Sequence, residues 1–238
     1  MKARTRKQED AADPSADAVT DAALQEFGEW IEQGLLPEVV PTHQRRSLRS
    51  ALAMLEAGRR LLQLRSLEDL SIEAVCHAAG TTIGAFYGRF ENKQAFFVTM
   101  QRMQTIRSQA VIGDMVRRDA QGAVGFDALC AELVSRTVQN FRSNQGVLRA
   151  SLQHTKEGMW DLFKASGDRY RAMIEKQLAP HLKHLSPAQR RLRILFAYQS
   201  LAGVLVHATL NDPGPLSLDD ERLVPELVRL VRSYLLAD

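Results

Sequence analysis

Two cysteines in 238 residues, Cys76 and Cys130, are too few for a disulfide framework or a four-thiolate zinc site. They fit a reducing compartment, where such a side chain serves as a small buried hydrophobe. Fourteen glycines and eight prolines exclude a collagen-like or low-complexity chain. No apolar signal segment opens the sequence: Lys2, Arg4, Arg6 and Lys7 lead directly into acidic residues. The most apolar stretch, Ile194 to Leu210, is interrupted by Tyr198, Gln199, Ser200 and His207 and falls short of the roughly 18 apolar residues a membrane span needs. These absences predict a soluble cytoplasmic protein without membrane association. There is no alternating β-branched run, no Asn-Gly hairpin signal and no internal repeat. There is also no Walker phosphate loop, zinc-protease His-Glu pair or nucleophile elbow. No catalytic chemistry, cofactor or metal is expected.

What is present is ordinary globular material, 45% apolar and 25% charged. The length allows between one and two domains and a sizeable core. The net charge of +3 is unevenly distributed. Residues 1–41 hold 4 Lys and Arg against 9 Asp and Glu, residues 42–107 hold 10 against 5, and residues 108–238 hold 17 against 14. The middle segment is thus basic by itself, a candidate footprint for a polyanion, although a solvated basic face is the commoner explanation.

Almost the whole chain reads as helix. Residues 1–17 are polar, broken by Asp13-Pro14-Ser15, and expected to be disordered. Leu24, Phe27, Trp30/Ile31 and Leu35 then mark a short amphipathic helix that Gly34 and Pro37 end. Helices follow from about Gln44 to Leu64, from Ser71 to near Gly80, from Thr81/Thr82 to near Tyr87, and from Asn92 beyond Arg107. Others are expected at about 108–119, 125–142, 146–155, 158–184, 188–210 and 219–236. The predicted fold class is all-α: a three-helix N-terminal domain joined to a larger helical domain. His181 and His184 have the i, i+3 spacing that helical metal sites use, but no third ligand accompanies them, so no site is assigned.

The informative segment is Ser71 to Phe90, SIEAVCHAAGTTIGAFYGRF. Ser71 is suited to cap a helix whose inner face is Ile72, Val75 and Ala79. Gly80 can adopt the left-handed conformation that stops that helix, and Thr81 or Thr82 can cap the next one at once. Two short helices joined by a tight Gly-containing turn form the helix-turn-helix pattern, whose second helix enters the DNA major groove. A plain helical hairpin is the simpler alternative. Against it stand Arg45, Arg46 and Arg49 at the start of the preceding helix, where the macrodipole favours acids, and Lys93 at the start of the following one. Basic side chains at helix N-termini suit phosphate oxygens.

The run Met54-Leu55-Glu56-Ala57 to Leu61-Leu62, then Ser71-Ile72 to Val75, Ala79-Gly80-Thr81-Thr82, Gly84-Ala85-Phe86-Tyr87, Phe90 and Asn92-Lys93 resembles the N-terminal domain of TetR-family transcriptional regulators. The resemblance covers about 44–104. It implies an N-terminal extension over 1–41, a DNA-binding domain over 42–104 and a helical ligand-binding and dimerisation domain over 105–238. It implies a homodimer on a palindromic double-stranded DNA operator, usually a repressor, released by a small ligand. By resemblance, Thr81, Thr82 and Tyr87 contact phosphates or adjoining bases. Ile83, Gly84 and Ala85 face the groove floor, Lys93 binds phosphate, and Ser71 caps and touches phosphate. Phe86, Phe90, Val75 and Leu62 are core. The sequence departs from the family pattern at Gly58, Ser66, Ile83 and Gly88. With Ile83 and Gly84 in the reading positions, base readout rests on apolar contacts such as thymine methyls and on DNA shape.

In the C-terminal part Phe141, His154, Met159, Trp160, Phe163, Tyr170 and Tyr198 are candidate ligand contacts, with core packing as the ordinary role of each. Together they suggest an apolar or aromatic ligand. Leu195, Gln199, Ala202, Gly203 and Val206, with Leu227, Val231 and Tyr234, form two stripes assigned by resemblance to the dimer interface. A monomer core using the same stripes is the alternative. A protein-interaction module using the N-terminal amphipathic helix is a rival reading; if the chain is a DNA-binding regulator, DNA binding should largely survive deletion of residues 1–40.

Overall fold

The computed structural model describes residues 19–119, 125–153, 159–211 and 214–237. Among the described residues ten α-helices follow one another: α1 (Asp21–Glu32), α2 (Arg45–Leu64), α3 (Ile72–Ala78), α4 (Ile83–Tyr87), α5 (Lys93–Asp119), α6 (Phe126–Ser143), α7 (Gln145–Gln153), α8 (Met159–Leu178), α9 (Pro187–Leu210) and α10 (Leu223–Leu236). No strand occurs among the described residues; Val39 and Phe90 form an isolated antiparallel bridge. The basic tip of the chain and residues 1–17, expected to be disordered, lie outside the described residues.

Three boundaries differ from the sequence reading. First, nothing at 107–108 can stop a helix, having neither glycine nor proline, so the two predicted segments are one 27-residue α5. At about 1.5 Å per residue this rod is about 40 Å long and links both halves of the molecule. Second, Pro180 lacks the N–H that α8 needs to continue, and the helix finishes in a 3₁₀ turn, Ala179–His181. His181 and His184 therefore do not share a helix face; the His181 ring packs on Phe126 instead, 5.9 Å between centroids. Third, α10 begins at Leu223 rather than 219, because the Asp220 carboxylate binds the Arg222 backbone N–H (2.8 Å) and guanidinium in a turn.

Two hydrophobic cores result. The first gathers α1 to α4, the first turns of α5 and two residues of α7, Val147 and Ala150. Its centre is aromatic: Phe86, Phe90 and Phe96 meet with centroids 5.0–5.3 Å apart. The second gathers α6 and α8 to α10 with Leu148. Gly58 is explained by the first core, since a Cβ there would lie 2.7 Å from Phe96 Cζ. Ser66 closes its turn by accepting from Asp69 N–H and donating to the Asp69 carboxylate at 2.7 Å.

The N-terminal extension is part of the first core. Thr20 caps α1 by accepting from Ala23 N–H at 3.2 Å. Leu24, Phe27, Trp30 and Ile31 are buried on the face that the spacing predicted, and Leu36 and Val39 of the following segment are buried with them. Leu35 is the exception to the predicted stripe, being exposed. The Arg89 guanidinium fastens this segment, donating to Val40 O (3.0 Å), Pro41 O (3.3 Å) and Ser47 Oγ (2.6 Å). Arg102 pairs with Glu38 at 2.8 Å.

The two halves meet where the end of α2 abuts the start of α7. A Cβ on Gly146 would lie 2.3 Å from the Leu62 backbone, so only glycine permits this approach. The last carbonyls of α2 are taken by Arg149, which donates to Leu62 O (2.9 Å) and Gln63 O (3.3 Å). Arg59 and Gln63 donate in return to Ser143 O.

By length and composition α9 is long and apolar enough to cross a membrane, unlike the shorter stretch considered in the sequence. It packs on α6, α8 and α10, with Ile194, Ala197, Leu201 and Leu205 in the second core.

The burial of Phe27 gives deletion of residues 1–40 a cost in stability that the expected survival of DNA binding left out. Phe27→Ala should cost about 3–5 kcal/mol, read as a lower midpoint in urea unfolding, and deletion of residues 1–40 should cost more. An unchanged midpoint would show that the extension does not contribute to the core.

Candidate nucleic-acid interface and internal cavity

The turn between α3 and α4 follows from its sequence. Ser71 Oγ accepts from Ala74 N–H at 3.1 Å and starts α3. At its end Gly80 has φ +62°, with Gly80 N–H bonded to His77 O and Thr81 N–H to Cys76 O. This is the Schellman arrangement, which uses the carbonyls left over at a helix end. Thr82 Oγ1 then accepts from Ala85 N–H at 3.1 Å and starts α4. The two helices are placed by Val75, Cys76 and Phe86, all buried, so α4 is a rigid projection of the first core.

Of the residues expected to meet DNA, one group lies together on the outer side of α4. Thr82, Ile83, Gly84 and Tyr87 are exposed, Ile83 at 44% and Tyr87 at 54%. Ala85 is half-buried. The Tyr87 ring is braced edge-on against Phe86, centroids 5.4 Å apart. Thr81 stands apart from this group: its hydroxyl is buried beside the Cys76 thiol without a nitrogen or oxygen partner, and cannot reach a phosphate from there.

The cations are differently engaged. Arg45 and Arg49 both reach Asp21 at the start of α1, at 2.6 and 2.9 Å. These pairs are solvent-exposed and therefore weak, so a phosphate can compete for them. Among the described residues Arg46 has no carboxylate partner, and it is exposed. Lys93 Nζ donates to Glu68 O at 3.0 Å and caps the loop before α3. Sequence reasoning missed Arg89, whose only signal was a basic residue directly before the core Phe90.

A cavity of about 1380 Å³ lies between α5, α6, α8 and α9. Phe141, Tyr170 and Tyr198 of the candidate ligand contacts line it. His154 lies outside the described residues, as do the side chains of Met159, Trp160 and Phe163. Thr137 Oγ1 donates to Leu133 O (2.7 Å), so the Tyr170 hydroxyl, in contact with it, is the donor of that second bond. Burial pushes the Tyr170 phenol up to about 12, and also pushes the Tyr198 phenol up, so both remain protonated.

The residues expected at a dimer interface divide into three groups. Leu227 and Val231 are 3% and 6% exposed and belong to the core of their own chain, because α10 turns that face toward α6 and α9. Leu195, Gln199, Ala202, Gly203 and Val206 line the cavity. Tyr234 remains near the surface, its ring 5.1 Å from that of Phe196. The large apolar side chains left outside are Leu192, Phe196, Val204 and Leu210 on α9 and Leu230 and Leu236 on α10, between 37% and 66% exposed.

Comparison with known proteins places the same two halves. Residues 54–100 match the family of bacterial regulatory proteins, tetR family, and residues 126–235 match the tetracyclin repressor-like C-terminal domain. Among solved structures the chain resembles a transcriptional regulator of the TerR/AcrR family from Aquifex aeolicus VF5, at 16% identity and TM-score 0.56, covering 78% of this chain and 97% of the other. It also resembles a protein assigned as a transcriptional regulator from Pseudomonas aeruginosa PAO1, at 17% identity and TM-score 0.59, covering 81% and 91%. At these identities the likeness is one of fold. None of the curated proteins matches the chain.

Because Gly80 is left-handed, Gly80→Ala should destabilise the turn by about 1–2 kcal/mol. Urea unfolding would measure the loss, and an unchanged stability would mean that the turn relaxes to an ordinary conformation.

Proposed function

We propose, for a chain that belongs to the TetR family and is a DNA-binding transcriptional regulator, that it acts as a homodimeric repressor on a palindromic operator and is released by a small ligand. The observation that carries this reading is the outer face of α4. Ile83 and Tyr87 stand exposed there while Phe86, between them in sequence, is fully buried. Water-exposed apolar side chains on so rigid a projection have a use when the floor of a major groove covers them. Tyr87 and Thr82 then reach sugar-phosphate oxygens, with Ser71, Arg46 and Lys93 at the flanks. Arg45 and Arg49 join them by exchanging Asp21 for phosphate. Ile83, Gly84 and Ala85 present little hydrogen-bonding capacity to base edges, so thymine methyls and DNA shape set the sequence preference. The reading places the protein in the cytoplasm with DNA and assigns it no catalytic step.

The exposed stripe of Leu192, Phe196 and Leu210 on α9, continued by Leu230 and Tyr234 on α10, supports the dimer. A second copy placed against it sets two recognition helices about 34–36 Å apart, one turn of DNA. Gly203 is exposed on α9, and a Cβ there would meet nothing of its own chain within 4 Å, so the helix surface is open at this point. The cavity behind this stripe supports ligand control: occupancy moves α6 and α7, and the tight seam of Gly146 on α2 carries the movement to the reading head.

Selection of bound fragments from a random duplex library tests the reading. An enriched near-palindrome with half-sites about one helical turn apart is expected, and failure to enrich any sequence would count against it. On the selected operator, Lys93→Ala should weaken binding and reduce the salt slope by about one unit; an unchanged slope would remove Lys93 from the phosphate contacts. Ile83→Ala should alter the selected sequence more than the affinity for random DNA, and an identical profile would refute its reading role. Phe196→Asp should yield monomers in sedimentation velocity with the thermal melt of the monomer fold retained. A persistent dimer would place the interface elsewhere.

A further inference from the structure

The cavity wall is mostly apolar, with Phe141, Leu148, Met173, Leu195 and Val206 on it, but it also carries two polar stripes. An inward helix face is ordinarily an apolar stripe. Here α5 turns Gln101, Gln104, Thr105 and Ser108 to the cavity, at the spacing of three and four that keeps them on one face. Opposite them stand Arg136 and Asn140 of α6 and Asn144, which ends that helix. Two stripes of polar side chains thus face each other, bridged once where Ser108 Oγ donates to Asn140 Oδ1 at 2.8 Å.

Some of these groups are satisfied within the chain. Asn144 Nδ2 donates to Asn140 O and Oδ1 at 3.0 and 3.1 Å, and Gln101 Nε2 donates to Ser151 Oγ at 2.7 Å. Three guanidiniums on the wall are paired with carboxylates, Arg107 with Glu56 (2.8 Å), Arg136 with Glu132 (2.9 Å) and Arg171 with Asp168, whereas Arg169 faces only the neutral Gln109 amide. Three neutral polar groups also remain. The Gln104 amide, the Thr105 hydroxyl and the Tyr198 hydroxyl have no hydrogen-bond partner among the described residues, and all three residues are half-buried on the wall. Each is a donor and an acceptor. Beside them Tyr198 and Tyr170 hold a pair of rings 5.4 Å apart. An apolar ligand would strip water from three polar groups and return nothing, which disfavours it.

We infer that the cavity takes a flat ring compound bearing several hydroxyl or carbonyl groups, its ring against Tyr198 and Tyr170 and its polar groups on Gln104, Thr105 and the Tyr198 hydroxyl. This rests on the reading of the cavity as the ligand site and replaces the apolar ligand suggested by the aromatic residues alone. Rings pack on tyrosine faces with offset geometry, and the polar groups select among ring compounds.

Isothermal titration of the full chain with two probes of one skeleton, flavone and its polyhydroxylated form quercetin, tests the inference. Quercetin should bind at least about tenfold more tightly than flavone. Gln104→Leu and the isosteric Thr105→Val should each weaken quercetin about three- to tenfold without weakening flavone, in proteins whose thermal melts stay cooperative. Flavone binding as tightly as quercetin, quercetin binding indifferent to both substitutions, or binding of neither probe would each overturn the inference. Release of a selected operator, followed in parallel, separates it from the functional reading. Quercetin that binds as expected yet leaves DNA bound sinks ligand control and spares the ligand class. An operator released by flavone alone does the reverse.

Discussion

The contact on which the rest of the molecule depends is the seam of Gly146 on the backbone of Leu62. Its closeness, tighter than any Cβ allows, joins a reading head to a cavity through backbone rather than through side chains. Side chains can change rotamer and absorb a displacement; two backbones in contact transmit it. Arg149, on the carbonyls of Leu62 and Gln63, adds direction, because it holds the end of α2 to α7 by its hydrogen-bonding groups. The reciprocal bonds of Arg59 and Gln63 to Ser143 O close the joint. Val147 and Ala150 of α7 lie in the first core and Leu148 in the second, so this one helix belongs to both.

A second joint runs through charge. Glu56 of α2 is partly buried, which alone would raise its carboxyl, but Arg107 of α5 and Arg59 hold it below the ordinary value. Arg107 also lies over the Trp30 ring of α1, 5.9 Å from its centroid, and forms part of the cavity wall. One guanidinium thus touches the extension, the reading head and the cavity. The described part of the extension is consequently a structural member of the first core. Its Asp21 further holds Arg45 and Arg49 at the edge of the candidate interface, where exposed ion pairs exchange readily for phosphates.

Much of the reading head was legible because its signals are local. A cap, a left-handed glycine and a helical spacing act over a few residues, and Ser71, Gly80, Thr82 and the α1 stripe behave as their chemistry requires. The failures are of two kinds. Pro180 is a local signal that the predicted helix to 184 overlooked, and α5 was divided without any local breaker. The others concern faces. The stripe of α10 was assigned to a partner, whereas Leu227 and Val231 meet α6 and α9 of the same chain. Periodicity reports that a face is apolar, and it is silent on whether the covering surface is intramolecular. Likewise Thr81 and Thr82 are neighbours of equal chemistry, and only the turn decides that one hydroxyl is buried and the other exposed.

The sequence by itself therefore determined the helical class and the helix-turn-helix, which are written in spacings shorter than two helical turns, while the family and the outward role of Ile83 and Tyr87 came from the resemblance of the run from Met54 to Lys93. Tertiary structure alone decided three things. It made the extension part of the core, it turned a polar stripe of α5 and another of α6 toward one cavity, and it left Leu192, Phe196 and Leu210 uncovered. The reason is that each depends on which surfaces meet. A glutamine at helical spacing reads as a solvated face until another helix, far away in the chain, closes a wall in front of it.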